Sequence, residues 1–221
     1  MEAQEILTRS SSSDVAFLVV GDPFGATTHA DLLMRAIKLN IPTKTIHNAS
    51  VMNSIAECGL QLYCFGPTIS IPFFTATWRP ESFYNKLQSN LSNGYHTLCL
   101  LDIKVKEQSE ENMLKGVKIY EPPRFMTVNQ ALSQLWEVEN RQQLHVVSPS
   151  TIVVGIARLG SDDQIIAAGR LETIQNFDFG APLHCLVIPG RMHECEFEVL
   201  EAKYCVDEKD AFKMAFKENH K

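Results

Sequence analysis

The apolar positions near the start of the chain form one continuous run, followed by a turn-rich loop and then by a run with helical spacing. The first run, DVAFLVV (residues 14–20), is typical of a strand that is buried on both faces. The loop holds two glycines, a proline and Asp22, and Thr28 with Asp31 resembles a helix-start pair ahead of LLMRAIKL. The pattern therefore predicts a strand, a loop and a helix in succession.

The alternation of strand-like and helix-like segments continues to about residue 102. TKTIH is predicted to be a strand, and SVMNSIAEC a helix that Ser50 begins and Gly59 ends. SIPFF predicts a further strand, RPESFYNKLQSNL a helix opened by Pro80, and YHTLCLLD another strand. Because strands and helices alternate, we expect an α/β fold with a largely parallel sheet.

The texture of the sequence changes after Asp102. The segment IKVKEQSEENMLKG is rich in charge, and EPPRF is extended around two prolines. TVNQALSQLWEVE then predicts a helix with Thr127 and Gln130 as a capping box, and TIVVGIARL, QIIAAG and LHCLVI predict strands. We therefore expect two α/β domains, residues 1–102 and residues 103–221, the second with a smaller sheet.

Composition and charge narrow the classes of function. With 45% hydrophobic residues and 21% charged residues, the chain has enough apolar material for a buried core. The net charge of -6 and the absence of a lysine or arginine run argue against a nucleic-acid partner. No apolar run approaches the ~20 residues of a membrane helix, and the start lacks the apolar core of a signal peptide. We expect a cytoplasmic protein without a membrane anchor.

The cysteines and histidines give little support for a metal site or for nucleophilic catalysis. The six cysteines show no close CxxC pairing and no disulfide-dense framework, so reduced, mostly buried thiols are expected. The segment HECE (residues 193–196) has too few ligands at usable spacing, and no metal is predicted. No GxSxG elbow, P-loop, kinase signature or HExxH motif is found.

The loops that follow the predicted strands are the candidate ligand site. Ligands of open α/β sheets lie beyond the carboxyl ends of the strands, which points to residues 22–25, residues 48–51 and Leu101 with Asp102. Gly25 would let the backbone approach a ligand closely, and the amides at the start of the next helix could hold a polar group. The alternative is that these loops are ordinary turns and caps. His184 lies inside an apolar strand, where its ring must find a polar partner.

Eight segments, taken in order, carry a family resemblance that extends from Asp14 to about Ile188. They are VVGDPFGATTHADL, HNASVMN, GLQLYCFG, TWRPESFY, HTLCLLDIKVKEQ, IYEPPRFMTVNQA, ARLGSDDQIIAAG and APLHCLVI. The chain thereby resembles the eukaryotic diphthine synthases, which belong to the tetrapyrrole methylase superfamily. The tail from Arg191 onward is not covered by the resemblance.

The resemblance implies two α/β domains with S-adenosylmethionine in the cleft between them, and a homodimer. It implies that translation elongation factor 2 is the substrate, in which a modified histidine bears an aminocarboxypropyl group. Three methyl groups go to the amine of that group and one to a carboxylate. Carried over by position, the cofactor contacts of the family fall on Asp22, Gly25, Ser50, Val51, Leu101, Leu159 and His184.

The resemblance also predicts that the first domain is incomplete. Members of the family open with a strand and a loop of the form GLGLGD, and only MEAQEILTRSSSS precedes the matching part here. Three alternatives follow for the function: a methyltransferase, a relative that binds a cofactor or partner without catalysis, and a nucleotide-dependent oxidoreductase. The last lacks the GxGxxG fingerprint of that class.

Overall fold

The computed structural model describes residues 3–219 of the 221-residue chain. The chain divides into two compact units, the first of which ends at Ile55 and the second of which begins at Ala56. Residues 1, 2, 220 and 221, which the two predicted domains include, lie outside the described residues. Helices and strands are both present, so the predicted α/β class is confirmed.

The first unit contains three helices joined by long loops: α1 (Ala3–Ser10), α2 (Ala30–Lys38) and α3 (Val51–Ser54). In α2 the Arg35 guanidinium pairs with Asp31 one turn earlier, Nε to Oδ2, at 2.8 Å. Ser50 caps α3 as predicted, since its hydroxyl accepts the backbone N–H of Met52. A 3-10 turn (Ile55–Cys58) follows α3, and Gly59 ends it at φ +94°.

Two predicted strands of the first unit are absent, and the predictions for DVAFLVV and TKTIH are wrong. Within residues 3–219, neither segment takes part in a sheet. The side chains that were expected to be buried face solvent, as the relative exposure of Leu18 (89%) and Val20 (103%) shows. A strand is defined by hydrogen bonds to a neighbour, so apolar composition without a paired neighbour does not produce one.

The second unit is built on a sheet. Its strands are β1 (Ile69–Ile71), β2 (Thr97–Leu101), β3 (Ile103–Lys104), β4 (Arg124–Phe125), β5 (Ile152–Ala157), β6 (Ile165–Arg170) and β7 (His184–Ile188). Five of them form one sheet in the order β1-β2-β7-β5-β6, and β3 pairs with β4 in a second. Only β1 and β2 run parallel in the larger sheet. The expectation of a largely parallel sheet is therefore corrected to a mixed sheet, because the short connection between β5 and β6 favours antiparallel pairing and β7 lies between β2 and β5, antiparallel to both.

The predicted boundary near Asp102 falls inside this second unit. Strand β2 ends at Leu101 and pairs antiparallel with β7, with Leu98 opposite Val187. Hydrogen bonding across the sheet thus joins the segment before residue 102 to the last strand of the chain. The compact units separate at Ile55 and Ala56, and the two predicted domains remain a prediction.

The helices of the second unit are α4 (Ser82–Ser92), α5 (Glu110–Leu114), α6 (Val128–Gln142), α7 (Leu171–Ile174), α8 (Glu194–Val199) and α9 (Lys209–Asn219). A 3-10 turn (Leu62–Cys64) precedes β1, and a π-helical turn (Leu200–Tyr204) follows α8. The predicted capping box of α6 is confirmed, since the Thr127 hydroxyl accepts the N–H of Gln130 and the Gln130 side chain accepts that of Thr127.

The core of the second unit lies between α4, α6 and the sheet. Leu132 and Leu135 of α6 and Leu87 of α4 are completely buried. Each such side chain contributes about 1.5–3 kcal/mol when it leaves water. The packing leaves no room beside Gly155 of β5, where an added β-carbon would lie 2.2 Å from the Phe179 ring. The sheet and its two long helices therefore form one close-packed body.

A buried carboxylate fixes the loop after α6. Glu139 accepts hydrogen bonds from the Tyr84 hydroxyl and from the backbone N–H groups of His145, Val146 and Val147. Burial by itself would raise the pKa of Glu139, and these hydrogen bonds outweigh burial and hold the pKa below its ordinary value.

None of the helices in the described part of the chain is long and apolar enough to span a membrane.

Candidate functional site

In the first unit, Asp22 joins the two predicted ligand loops. Its Oδ1 accepts the backbone N–H of Phe24 at 2.8 Å. Its Oδ2 accepts the backbone N–H of Asn48 at 3.1 Å and lies 2.8 Å from Nδ1 of His47. The hydrogen bonds from Phe24, His47 and Asn48 lower the pKa of Asp22 to about 2. The carboxylate is therefore ionised at neutral pH and holds the loop of residues 21–25 against the loop of residues 47–51.

Gly25 brings the same two loops into direct contact. A β-carbon at Gly25 would lie 2.3 Å from Oγ and 2.5 Å from Cβ of Ser50. From the sequence, Gly25 is expected to let the backbone approach a ligand closely. In the structure the space beside it is taken by Ser50, so glycine is required first for the packing of one loop on the other.

The amides at the start of α3 are only partly available to a ligand. The backbone N–H of Ser50 donates to Oδ1 of Asn53 at 2.7 Å, within the capping box. Of the two amides at the start of α3, those of Ser50 and Val51, the Ser50 amide is thus already engaged in the structure. A capping residue spends its donors and acceptors on the helix that it begins.

In the second unit, Leu101 and Leu159 occupy different environments. Leu101 ends β2, is 8% exposed, and packs in the hydrophobic core, so its side chain supports the sheet. Asp102, the next residue, accepts the backbone N–H of Phe73 at 3.0 Å. Leu159 lies in the turn after β5 and is half-buried. Of the two leucines among the predicted cofactor contacts, Leu159 is the one whose side chain is partly open.

His184 finds the polar partners that its position requires. It is the first residue of β7 and pairs with Ala157 of β5. Its Nε2–H donates to the Ala181 carbonyl at 3.1 Å, and its Nδ1 accepts the N–H of Val128 at 3.4 Å. Burial lowers the pKa of His184, so the ring is neutral at pH 7. Both ring nitrogens are engaged, and a side-chain hydrogen bond from His184 to a cofactor would have to replace one of these contacts.

Arg158 is a residue that the sequence analysis missed. It precedes Leu159, adopts φ +52°, and its side chain is only 13% exposed. The guanidinium donates to the carbonyls of Phe179, Ala181 and Asp163, and its Nε lies 2.7 Å from a carboxylate oxygen of Asp163. Since the Ala181 carbonyl also accepts from His184, Arg158 links the turn that carries Leu159 to the loop that carries His184. Only the fold could reveal this, because the contacts are to backbone carbonyls 21 and 23 residues away.

The HECE segment turns out to be a structural anchor. The His193 side chain and Glu196 form the capping box of α8. Glu196 is buried, and besides the backbone N–H of His193 its carboxylate accepts that of Gln61 at 2.8 Å and lies 3.1 Å from Nε2 of His96. The segment therefore fixes the start of α8 to the residues before β1.

His96 and Glu196, together with Cys64, place three potential metal-ligand atoms within 4.8 Å of one another. The hydrogen bonds favour a structural pair. Nδ1 of His96 accepts the N–H of Gly190 at 3.0 Å, so the ring proton of a neutral imidazole lies on Nε2, the nitrogen that faces Glu196. A histidine that ligates a metal through Nε2 normally donates from its other nitrogen instead.

The structure brings four of the seven predicted cofactor residues together in the first unit: Asp22, Gly25, Ser50 and Val51. The other three, Leu101, Leu159 and His184, belong to the second unit. A cavity of about 620 Å³ in the first unit lies elsewhere, along α1 and residues 13–18. The candidate site is thus described as two sets of residues, each in its own unit.

Comparison with known proteins agrees with the resemblance. Residues 2–175 match the family of tetrapyrrole (corrin/porphyrin) methylases. The diphthine methyl ester synthases of Bos taurus and Homo sapiens are both 59% identical over 204 residues, which cover 90% of this chain and 72% of each relative. The probable diphthine methyl ester synthase of Arabidopsis thaliana is 56% identical over 201 residues, with 90% of this chain and 73% of the relative covered.

Two solved structures extend the comparison to the fold. The putative diphthine synthase from Entamoeba histolytica superimposes with a TM-score of 0.83 at 46% identity, covering 92% of this chain and 76% of that one. A second diphthine synthase structure gives a TM-score of 0.76 at 29% identity, covering 96% of this chain and 73% of that one.

Proposed function

Since the chain belongs to the diphthine synthase family of tetrapyrrole methylases, we propose that it is an S-adenosylmethionine-dependent methyltransferase of diphthamide biosynthesis. Its substrate is the modified histidine of translation elongation factor 2, which it methylates to diphthine methyl ester. The observation that carries the proposal is Asp22, whose carboxylate joins the two loops that hold four of the predicted cofactor residues. The comparisons favour this function over a relative without catalysis.

The residues of the first unit suit such a cofactor. A carboxylate that is ionised at neutral pH retains acceptor capacity for the ribose hydroxyls or the ammonium group, besides the three hydrogen bonds that it already accepts. Gly25 packs directly against Ser50, so the two loops that carry the predicted cofactor residues stay together. When bound, the sulfonium of the cofactor supplies a methyl group on a good neutral leaving group.

The residues of the second unit supply orientation and an apolar surface under this proposal. Leu159 offers a half-buried side chain at the turn after β5, and His184 holds the start of β7 in place through its two ring nitrogens. A methyl transfer needs an in-line approach and the exclusion of water more than it needs a covalent catalyst. We further propose that the protein is cytoplasmic, since elongation factor 2 would be its substrate, and that it is a homodimer, which the family resemblance implies.

Calorimetry with S-adenosylhomocysteine tests the proposal, with Gly25→Val as the decisive variant. We expect wild-type protein to bind and Gly25→Val to lose at least about 100-fold in affinity, because its Cβ would collide with Ser50 and part the two loops. Leu39→Val, at a position that is 55% exposed, is the matched control and should bind as wild type does.

Equal affinity of Gly25→Val and wild type would remove this loop from the site. Binding by the wild type without methyl transfer to elongation factor 2 would favour a relative that binds a cofactor or partner without catalysis. A preference for NAD would favour an oxidoreductase.

A further inference from the structure

His47 and Asp22 form an exposed histidine–carboxylate pair in the first unit. Nδ1 of His47 lies 2.8 Å from Oδ2 of Asp22, and the His47 side chain is 72% exposed. The Phe24 ring lies at 6.4 Å from the imidazole, between ring centroids. One ring nitrogen is therefore held by the loop while the rest of the ring faces outward.

The partner of Nδ1 decides the tautomer of the imidazole. Asp22 is ionised at neutral pH, and an ionised carboxylate can only accept hydrogen bonds. The hydrogen between the two groups must therefore belong to Nδ1 of His47. In the neutral ring this leaves a lone pair on Nε2, and within residues 3–219 no group is hydrogen-bonded to that nitrogen.

The position of the pair in the chain and in the fold points to the cofactor loops. His47 lies three residues before Ser50, and its partner lies three residues before Gly25. Asp22 accepts a backbone N–H from each of the two loops, from Phe24 and from Asn48. The same carboxylate that holds the predicted cofactor loops together thus orients the His47 ring beside them.

We propose that His47 is a catalytic residue, the general base that takes a proton from the amine of the substrate, and that Asp22 orients it. This inference rests on the proposed function and names a group that performs one step of it. A base oriented by a carboxylate through its other ring nitrogen is the arrangement of the general-base histidine in Ser-His-Asp triads.

The proton balance explains why the reaction needs such a group. An alkylamine is protonated at neutral pH and has no lone pair for attack. Nε2 of His47 takes one proton from the ammonium; the freed nitrogen lone pair bonds to the methyl carbon as the carbon–sulfur bond breaks, and the sulfur keeps that electron pair. The proton on His47 then passes to water, and the methylated ammonium can give up its next proton in the same way.

Methylation of the carboxylate makes a different demand. A carboxylate is already ionised at neutral pH, so its oxygen can attack the methyl carbon without a base. Both reactions use the same cofactor and the same protein. The proposal therefore predicts that loss of His47 slows methylation of nitrogen and leaves methylation of oxygen unchanged.

His47→Asn is the variant that isolates the base. The asparagine amide can take the place of Nδ1–H and keep the hydrogen bond to Asp22, whereas Nε2 is deleted. His29→Asn is the matched control, because Nδ1 of His29 lies 2.7 Å from the Pro23 carbonyl in the same loop, without a carboxylate partner.

Single-turnover transfer from methyl-labelled S-adenosylmethionine measures the two reactions separately. One substrate is elongation factor 2 with the unmethylated aminocarboxypropyl histidine, and the other carries the trimethylated amine, where only the carboxylate can react. We expect His47→Asn to slow the first reaction by about 10²-fold to 10⁴-fold at pH 7 and the second by less than about twofold. Its rate on the first substrate should rise about tenfold per pH unit, because only unassisted deprotonation then supplies the amine.

Three results would overturn the proposal. They are equal amine methylation by His47→Asn and wild type, an equal loss of both reactions, and a similar loss in His29→Asn. S-adenosylhomocysteine affinity should be the same in all three proteins. A wild type that binds no S-adenosylhomocysteine and methylates neither substrate would refute the proposed function itself.

The tautomer of His47 can be read without turnover. Nitrogen-15 spectra of the neutral imidazole should show the ring proton on Nδ1 and not on Nε2, which is the reverse of the tautomer that free histidine prefers. In Asp22→Asn the preference for the Nδ1–H form should weaken. An Nε2–H tautomer in the wild-type protein would contradict the inference even if the methyltransferase activity were confirmed.

Discussion

The two compact units of the chain carry similar sequence patterns and have very different structures. In the first unit, up to Ile55, the apolar runs form no strand within the described residues, and large side chains such as Leu18 and Ile46 are 89% and 77% exposed. In the second unit, from Ala56, apolar runs of the same kind form a five-stranded sheet. β5 is buried at all six of its positions.

The difference between the units lies in pairing. β5 has β6 on one side, paired along all six of its residues, and β7 on the other, paired from Val154 to Ala157. Residues 14–20 of the first unit are as apolar as β5 and have no such neighbour in the described chain. An apolar run thus becomes a strand of the sheet only when hydrogen bonds to a neighbouring strand offset the cost of removing its backbone from water.

The largest expected effect breaks the second unit at its core. Leu135→Ala removes a completely buried side chain of α6 and should lower the free energy of unfolding by about 2–5 kcal/mol. Leu18→Ala makes the same change at an exposed position of the first unit and should cost less than about 0.5 kcal/mol. Denaturant unfolding measures both, and equal losses would mean that Leu18 is as buried as Leu135.

A smaller effect concerns the anchor of α8. Both oxygens of Glu196 accept backbone N–H groups, so Glu196→Gln turns an amide NH₂ toward a donor and should cost about 1–3 kcal/mol at pH 7. Burial by itself would raise the pKa of Glu196, but the hydrogen bonds from Gln61 and His193 and the contact with His96 hold it below its ordinary value.

The pH dependence of this effect follows from the lowered pKa. The stabilisation by Glu196 is complete above the ordinary carboxyl pKa of about 4.3 and is lost as the pH falls through the lower value of the folded protein. The difference in unfolding free energy between wild type and Glu196→Gln should therefore be constant from pH 6 to pH 8 and shrink below about pH 4. A difference that grows on acidification would contradict the assigned hydrogen bonds.

A third prediction, with the smallest expected change in unfolding free energy, concerns Arg158 in the candidate site. Arg158→Met removes the guanidinium that binds the carbonyls of Phe179, Ala181 and Asp163, and should destabilise the second unit by about 1–2 kcal/mol. Burial is the main cause of the low pKa of His184 and the charge of Arg158 adds to it, so this pKa should rise toward about 6.5 in the variant.

The control for Arg158 is an arginine with an exposed ion pair. Arg141 pairs with Glu81, and Arg141→Met should change the unfolding free energy by less than about 1 kcal/mol. An NMR titration of His184 distinguishes the variants, since Arg141→Met should leave its pKa where it is. An unchanged pKa in Arg158→Met would mean that the guanidinium does not act on His184.

Most helices and strands of the second unit, and the family of the chain, could be predicted from local sequence patterns. The helical spacing of apolar residues and the capping residues predicted α6, because the hydrogen bonds of a helix join residues that are close in sequence. Short apolar runs predicted β2, β5, β6 and β7, because the apolar character of a central strand is visible in consecutive residues. Motifs such as GDPFG and HNASVMN indicated the family because each is a run of consecutive residues, which can be compared without knowledge of the fold.

Which apolar runs pair with a neighbouring strand, and which polar groups remain available for hydrogen bonds, could be seen only in the folded chain. DVAFLVV forms no strand in the described chain, because no neighbouring strand pairs with it. Leu101 is a core residue, and the amide of Ser50 donates a hydrogen bond within the capping box of its own helix. Arg158 binds the carbonyl of Phe179, 21 residues away along the chain, and His47 contacts Asp22, 25 residues away. Such contacts join residues that are distant in sequence, and their formation depends on the free energy of the whole fold, which local pattern does not contain.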